Sequence, residues 1–155
     1  MSAGPRTLAA AGAVLTFAAS QAVEWGVTRA VPPGGERVVI PHLLSLSVVH
    51  NQGIAFGLLA RLAPLATTVL ALTVLAFLFY NRTARLAAPA GQWGLGLIIG
   101  GALANVVDRL HFGYVIDYFD VHIWPVFNLA DAAIVVGAGL LLIALSSGSA
   151  PGVSP

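Results

Sequence analysis

Gln92-Trp93-Gly94-Leu95-Gly96-Leu97-Ile98-Ile99-Gly100-Gly101-Ala102-Leu103-Ala104-Asn105-Val106-Val107-Asp108-Arg109 decides the fold class. The run from Gln92 to Val107 carries no charge. With Asp108 and Arg109 at its end it approaches the ~20 residues that a helix needs to cross a bilayer. Gly96 and Gly100 form a small-xxx-small pair that lets another helix approach closely. Gly101, Asn105 and Asp108 fall at i, i+4 and i+7, so they share one face at one end of the helix. That stripe reads either as the lining of a site or, with Arg109, as an interfacial charge pair anchoring the helix.

Three more apolar runs flank this one: about Leu8 to Val27, Leu62 to Tyr80 and Phe127 to Leu145. Backbone groups in lipid must bond internally, so helices are expected for all four. The whole composition agrees. Of 155 residues, 58% are hydrophobic and only 8% are charged, against roughly a quarter charged in a soluble domain, and mean hydropathy is +0.90. The expected fold is an all-α integral membrane protein with four transmembrane helices in one domain, residues 1–145. A Ser/Gly/Pro-rich tail over 146–155 is expected to be disordered. The first run also resembles a cleaved signal peptide from Arg6 to Ala22, but it continues through Val23 and Trp25, which fits an uncleaved anchor better.

Between the first two runs, Pro32-Pro33-Gly34-Gly35 marks a turn. Arg37–Ile40 and Leu43–Val49 then read as short strands, with Leu44, Leu46 and Val48 alternating with Ser45 and Ser47. A small β element at about 28–57, outside the membrane, follows. Arginine counts leave the orientation open. The short 81–91 link, with Arg82 and Arg85, favours cytoplasmic placement, with both termini inside. Trp25 and Trp124 would then share the outer interface, with Tyr80 and Trp93 at the inner one.

Several chemistries are excluded. There are no cysteines, so thiol catalysis, thiolate metal sites and disulfides are out. All seven basic residues are arginine, the net charge is +1 and no basic run exists, which argues against nucleic acid as a partner. His42, His50, His111 and His122 show no zinc spacing. No G-x-S-x-G elbow is present, and neither Ser45 nor Ser47 has a readable acid and base nearby.

What remains is carboxylate chemistry. Asp117 lies in Gly113-Tyr114-Val115-Ile116-Asp117-Tyr118-Phe119, and Asp131 in Phe127-Asn128-Leu129-Ala130-Asp131 at the start of the last helix. Both flank one loop and can meet at one membrane face. A close carboxyl pair resists double ionisation and shares a proton. One member then takes a proton from water while the other donates to the carbonyl oxygen or the leaving amine. This needs neither metal nor cofactor. The plainer alternative makes Asp131 a helix-terminal acid and Asp117 a solvated loop acid. Asn51, in Asn51-Gln52-Gly53, reads by itself as a turn residue.

Taken together, four motifs in order carry a resemblance: Asn51-Gln52-Gly53-Ile54-Ala55-Phe56-Gly57, Gly100 to Arg109, Val115-Ile116-Asp117-Tyr118-Phe119 and Phe127 to Ile134. The chain resembles the lipoprotein signal peptidases, the type II signal peptidases of bacteria, from about Ser20 to Leu145. The resemblance implies four transmembrane helices with a small extracytoplasmic β cradle in the bacterial cytoplasmic (inner) membrane, and an active site at the outer face. It implies Asp117 and Asp131 as a catalytic dyad, with Asn51, Gly53, Gly101, Asn105, Asp108, Arg109, Asn128 and Ala130 lining or bracing the site. The implied substrate is a prolipoprotein bearing a diacylglyceryl cysteine, cut just before that cysteine. Membrane lipid is the other implied partner, and a monomer is expected. The family usually carries an Asp-Gln pair and a downstream Lys on the first helix, where this chain has Ser20, Gln21 and Glu24. That leaves the dyad intact and changes the outer part of the site. The rival readings are a non-catalytic membrane protein that binds lipidated peptides and a small transporter. The transporter is disfavoured because the acids cluster at one face rather than midway through the spans.

Overall fold

The computed structural model describes residues 5–52 and 88–146. Among them the chain forms α1 (Pro5–Ala30), β1 (Glu36–Ile40), β2 (Leu44–Asn51), α2 (Pro89–Phe112), β3 (Val115–Asp120) and α3 (Leu129–Ser146). The expected run Leu62–Tyr80, Gly53 and the 147–155 tail lie outside the described residues. Three described helices are long and apolar enough to cross a membrane: Thr7–Ala30, Pro89–Phe112 and Leu129–Ser146.

α2 is the central helix and packs along both α1 and α3. Pro89 opens it, where a missing N–H removes no bond. Gly113 closes it at φ 83°, its N–H donating to the Arg109 carbonyl. The helix therefore outruns the expected Gln92–Val107 by more than a turn toward the sheet, and Asp108 and Arg109 sit inside its last turns.

Close packing rests on small residues. A Cβ on Gly96 would lie 2.7 Å from the Ala9 carbonyl oxygen and 2.9 Å from Gly12 Cα, and one on Gly100 would overlap Ala13 and Thr16. Gly96 and Gly100 are thus the contact stripe toward α1, as their spacing implied. On another face, Gly94 meets Gly137 and Gly101 meets Ala130. Contacts along α1 and α2 advance together, whereas those of α3 run backward against α2. The C-terminal ends of α1 and α2 and the N-terminal start of α3 therefore share one end of the bundle.

At that end sits a three-stranded antiparallel sheet, in the order β1-β2-β3. The third strand was not expected from the sequence. Its residues Val115 to Tyr118 are all buried, so the alternation that betrayed β2 is missing. Val27 of α1 and Val31 just past its end pack with Val48, Ile116 and Tyr118 to fasten the sheet to the helices. Trp25, with Arg29 stacked 3.5 Å over its ring, and Trp124 are exposed at the sheet end, and Trp93 lies near the opposite end of α2.

A candidate active site where the sheet meets the helices

Only Gly113 and Tyr114 separate the end of α2 from β3, which carries Asp117 back over the bundle end. After Asp120 the chain turns, and Phe127 pairs with Phe119 through N–H···O=C bonds of 2.7 and 3.1 Å. This pairing sets Asn128 beside Asp117. Asn128 is also the residue before α3. Its Oδ1 accepts from the Asp131 N–H at 2.8 Å, and its own N–H reaches Asp131 Oδ2 at 3.4 Å. The two residues therefore form a reciprocal N-terminal cap of the capping-box kind.

The Asn128 side-chain amide does the joining. Its Nδ2 donates to Asp117 Oδ1 at 3.0 Å and to Asn105 Oδ1 at 3.0 Å. Asn105 Nδ2 in turn donates to Asp131 Oδ1 at 2.8 Å. Asn51, two register pairs along β2 from the residue opposite Asp117 and so on the same face, donates to Asp117 Oδ2 at 2.8 Å. Both oxygens of each aspartate thus face an N–H donor. The plainer reading of these acids is corrected for Asp117 and holds for Asp131 as a helix-terminal acid. Asp117 is not a solvated loop acid but is 2% exposed within β3. Asp131 does serve the helix cap, but only through one oxygen, leaving the other for Asn105.

The other residues singled out in the sequence lie at the same end of the bundle. Gly101 has no room for a side chain, since a Cβ would come within 2.5 Å of the Ala130 carbonyl oxygen. Ala130 is itself 2% exposed. Asp108, also fully buried, accepts from Gln21 Nε2 at 3.1 Å. Arg109 donates weakly to the Asn105 carbonyl at 3.4 Å. Its guanidinium is attracted by Asp131, Asp117 and Asp108 together, and its buried Nε has no hydrogen-bond partner among the described residues. Arg109 thus lies within electrostatic reach of all three aspartates.

Burial pushes the Asp117 carboxyl up to about 6. The Asn51 amide opposes that rise, and the negative charge of Asp131 adds to it. Tyr118, held at about 12 chiefly by burial, accepts the Leu129 N–H at 3.1 Å and so fixes the first turn of α3 beside β3.

One residue missed in the sequence is Tyr118, hidden by its position in an unrecognised strand. A second correction concerns Ser45. Its Oγ lies 3.3 Å from His122 Nε2, and His122 Nδ1 lies 3.4 Å from Asp120. The partners are 77 and 75 residues away in the chain, so spacing could not reveal them. Ser45 is 1% exposed, and the linkage ties β2 to the turn after β3. A cleft of about 480 Å³ beside it is lined by Glu36, Val38, Pro41, His42, Ser45 and His122 and does not include either central aspartate.

Fold and site together define a multi-pass membrane protein with a buried acidic centre at one bundle end. The same fold occurs in the solved structure of a bacterial membrane enzyme at 2.3 Å resolution, with a TM-score of 0.73, 28% identity and coverage of 89% of this chain and 87% of that one. The family described as signal peptidase (SPase) II matches residues 12–147, and the chain belongs to that family. Lipoprotein signal peptidases from Pelotomaculum thermopropionicum and Moorella thermoacetica are 43% and 41% identical to it. Each alignment spans 129 residues and 83% of this chain, covering 85% and 86% of those proteins.

Proposed function

We propose that this protein is a membrane aspartyl endopeptidase. In this reading it removes the signal peptide from diacylglyceryl-modified prolipoproteins, cutting just before the lipidated cysteine. Asp117 and Asp131 are its catalytic pair. The observation that carries the reading is the shared Asn128, whose amide joins Asp117 to Asn105 and whose backbone and carbonyl oxygen bind Asp131.

The pair holds one proton between its members. The ionised carboxylate takes a proton from a water molecule, and the resulting hydroxide attacks the scissile carbonyl carbon. The protonated carboxyl gives its proton to the carbonyl oxygen, yielding a tetrahedral diol. When the C–N bond breaks, the proton held by the first acid passes to the leaving nitrogen. As the diol collapses, one of its hydroxyls returns a proton to the second carboxylate, so the pair again holds one proton; the products leave as a carboxylic acid and an amine, which exchange a proton in water to become carboxylate and ammonium. Arg109 balances charge through the cycle, and Asn51, Asn105 and Asn128 hold the carboxyl planes so that little reorganisation is needed.

The location suits a lipid-anchored substrate. Acyl chains held in the bilayer would fix the peptide bond at the bundle end and lower the entropy of attack. The full reading is of four spans in the cytoplasmic membrane of a bacterium, with the sheet as an extracytoplasmic cradle and the enzyme acting as a monomer. Parallel α1 and α2 support it, because two helices running in the same direction need a return crossing between them. Residues 1–145 would then form one domain.

The test is cleavage of a synthetic diacylated lipobox peptide by purified protein. Asp117→Asn and Asp131→Asn are each expected to abolish cleavage at normal protein levels. Full activity in either would refute the assignment. Binding without cleavage by the wild type would favour a non-catalytic binder of lipidated peptides.

A further inference from the structure

β3 meets all three described helices within four residues. Val115 follows α2 after Gly113 and Tyr114. Ile116 and Tyr118 pack with Val27 of α1 and with Val31 just past its end. Asp117 and Tyr118 bond to Asn128 and Leu129 at the start of α3. Those helix ends share one end of the bundle, and four strand residues span only about 10 Å, close to the spacing of packed helices. β3 therefore runs across the bundle end rather than up from it.

Beyond Tyr118 the strand continues past the helices through Phe119 and Asp120 into the 121–124 turn. The register carries the β1–β2 hairpin with it. Ser45 lies opposite Asp120 and Val38 opposite Ser45, and Ser45 Oγ is 3.3 Å from His122 Nε2. This end of the sheet thus overhangs the bundle at the level of the helix ends. Its apolar side chains are uncovered: Ile123 is 92% exposed and Trp124 70%, and Val38, Val39, Ile40 and Leu43 lie between 46% and 59%. Glu36, Arg37 and Asp120 are interleaved with them. A mixture of this kind suits the headgroup layer of a membrane, which accepts aromatic rings and charges that the hydrocarbon excludes. The neighbouring helix marks that layer. On α1, one of the helices able to cross a membrane, exposed Trp25 carries Arg29 stacked 3.5 Å over its ring, an amphipathic pair of the sort found at a membrane boundary. The overhang is continuous with this boundary.

We infer that the overhanging end of the sheet, made of the β1–β2 hairpin tip with Ile123 and Trp124, is a lipid-docking surface that seats in the headgroup layer beside the bundle. Its partner is the bilayer. Trp124 supplies the interfacial ring, and Ile123, Ile40 and Leu43 reach toward the acyl chains. A sheet held down at this end keeps β3, and Asp117 on it, at a fixed height over the lipid. The inference needs the membrane-spanning fold and not the peptidase chemistry.

The experiment uses the full chain in phospholipid nanodiscs. Trp25→Phe with Trp93→Phe leaves Trp124 as the one tryptophan of the three. Its emission is compared in plain phosphatidylcholine and in the same lipid brominated near the top or near the end of the acyl chains. A ring lying about 5–10 Å into the headgroup–acyl boundary is expected to lose more emission to the shallow bromine than to the deep one. The chain has no cysteine, so Leu43→Cys and Ile123→Cys, made singly in the otherwise unmodified protein, each accept one nitroxide label at an exposed position. Both labels are expected to collide more often with oxygen, which concentrates in lipid, than with a water-soluble nickel chelate. Trp124 emission that neither bromine changes would overturn the inference, and if that emission is also blue-shifted the cover is protein rather than lipid. Labels more accessible to the chelate than to oxygen would overturn it equally.

Discussion

Asn128 is the residue on which the two acids and the start of α3 all depend, and a pair of substitutions separates those duties. Asn128→Ala removes the helix cap, a loss of about 1 kcal/mol. It also strips Asp117 Oδ1 and Asn105 Oδ1 of the 3.0 Å donor they share. Leaving buried acceptors unpaired costs about 1–3 kcal/mol each, so with the lost cap the total destabilisation is about 3–7 kcal/mol and the variant is expected to be hard to purify. Asn128→Ser keeps a capping oxygen for the Asp131 N–H but cannot extend an amide to Asp117. Its stability should exceed that of Asn128→Ala by roughly the capping contribution. Its catalysis should still suffer. A hydrogen bond to a charged group contributes about 1.5–3 kcal/mol, or about 10- to 150-fold if it is realised at the transition state. The assay is kcat for a diacylated lipobox peptide, beside thermal unfolding in detergent. Asn128→Ser with wild-type kcat would refute the reasoning, because the acids would then need no amide between them.

Two further outcomes follow from the geometry. Gly101→Ala drives a methyl into the Ala130 carbonyl at 2.5 Å, so it should lower Tm by several degrees and cut activity, whereas Gly139→Ala, with nothing within 4 Å, should raise helix stability by up to about 1 kcal/mol. The raised Asp117 pKa, about 6 against 3.8, means the folded state binds more protons than the unfolded one between those values. That stabilisation is fully present below pH 4 and is lost as pH rises through 6. It amounts to about 3 kcal/mol as an upper bound, readable as a Tm falling over that window, and kcat/KM should show an alkaline limb near pH 6.

Much of this site was legible in the chain because its residues obey local rules. Asp131 follows Asn128 at the spacing of a helix cap, and Gly101, Asn105 and Asp108 fall on one helical face. The Gly96–Gly100 pair announced a close helix contact, which α1 supplies. Other parts were hidden for physical reasons. β3 is buried through Tyr118 and so lacks the alternation of a half-exposed strand. The Gln21–Asp108 and Ser45–His122 contacts join residues 87 and 77 apart, distances at which only the tertiary fold makes neighbours. Glu24 looked like a simple reversal of charge on an outer wall, but the fold buries it on α1, with Asp108 buried on α2.

The glycine contacts between α2 and α3 occur at two heights, Gly94 with Gly137 and Gly101 with Ala130, about 10 Å apart along each axis at 1.5 Å per residue. Two rods riveted at one point can scissor; riveted at two, they cannot. Bilayers differ by several ångströms in thickness, and a span that mismatches its host can tilt to adjust. With scissoring blocked, α2 and α3 must lean as one piece. Asn105 and Asp131 then stay in register, and the carboxyl geometry is shielded from changes in the acyl chains around it.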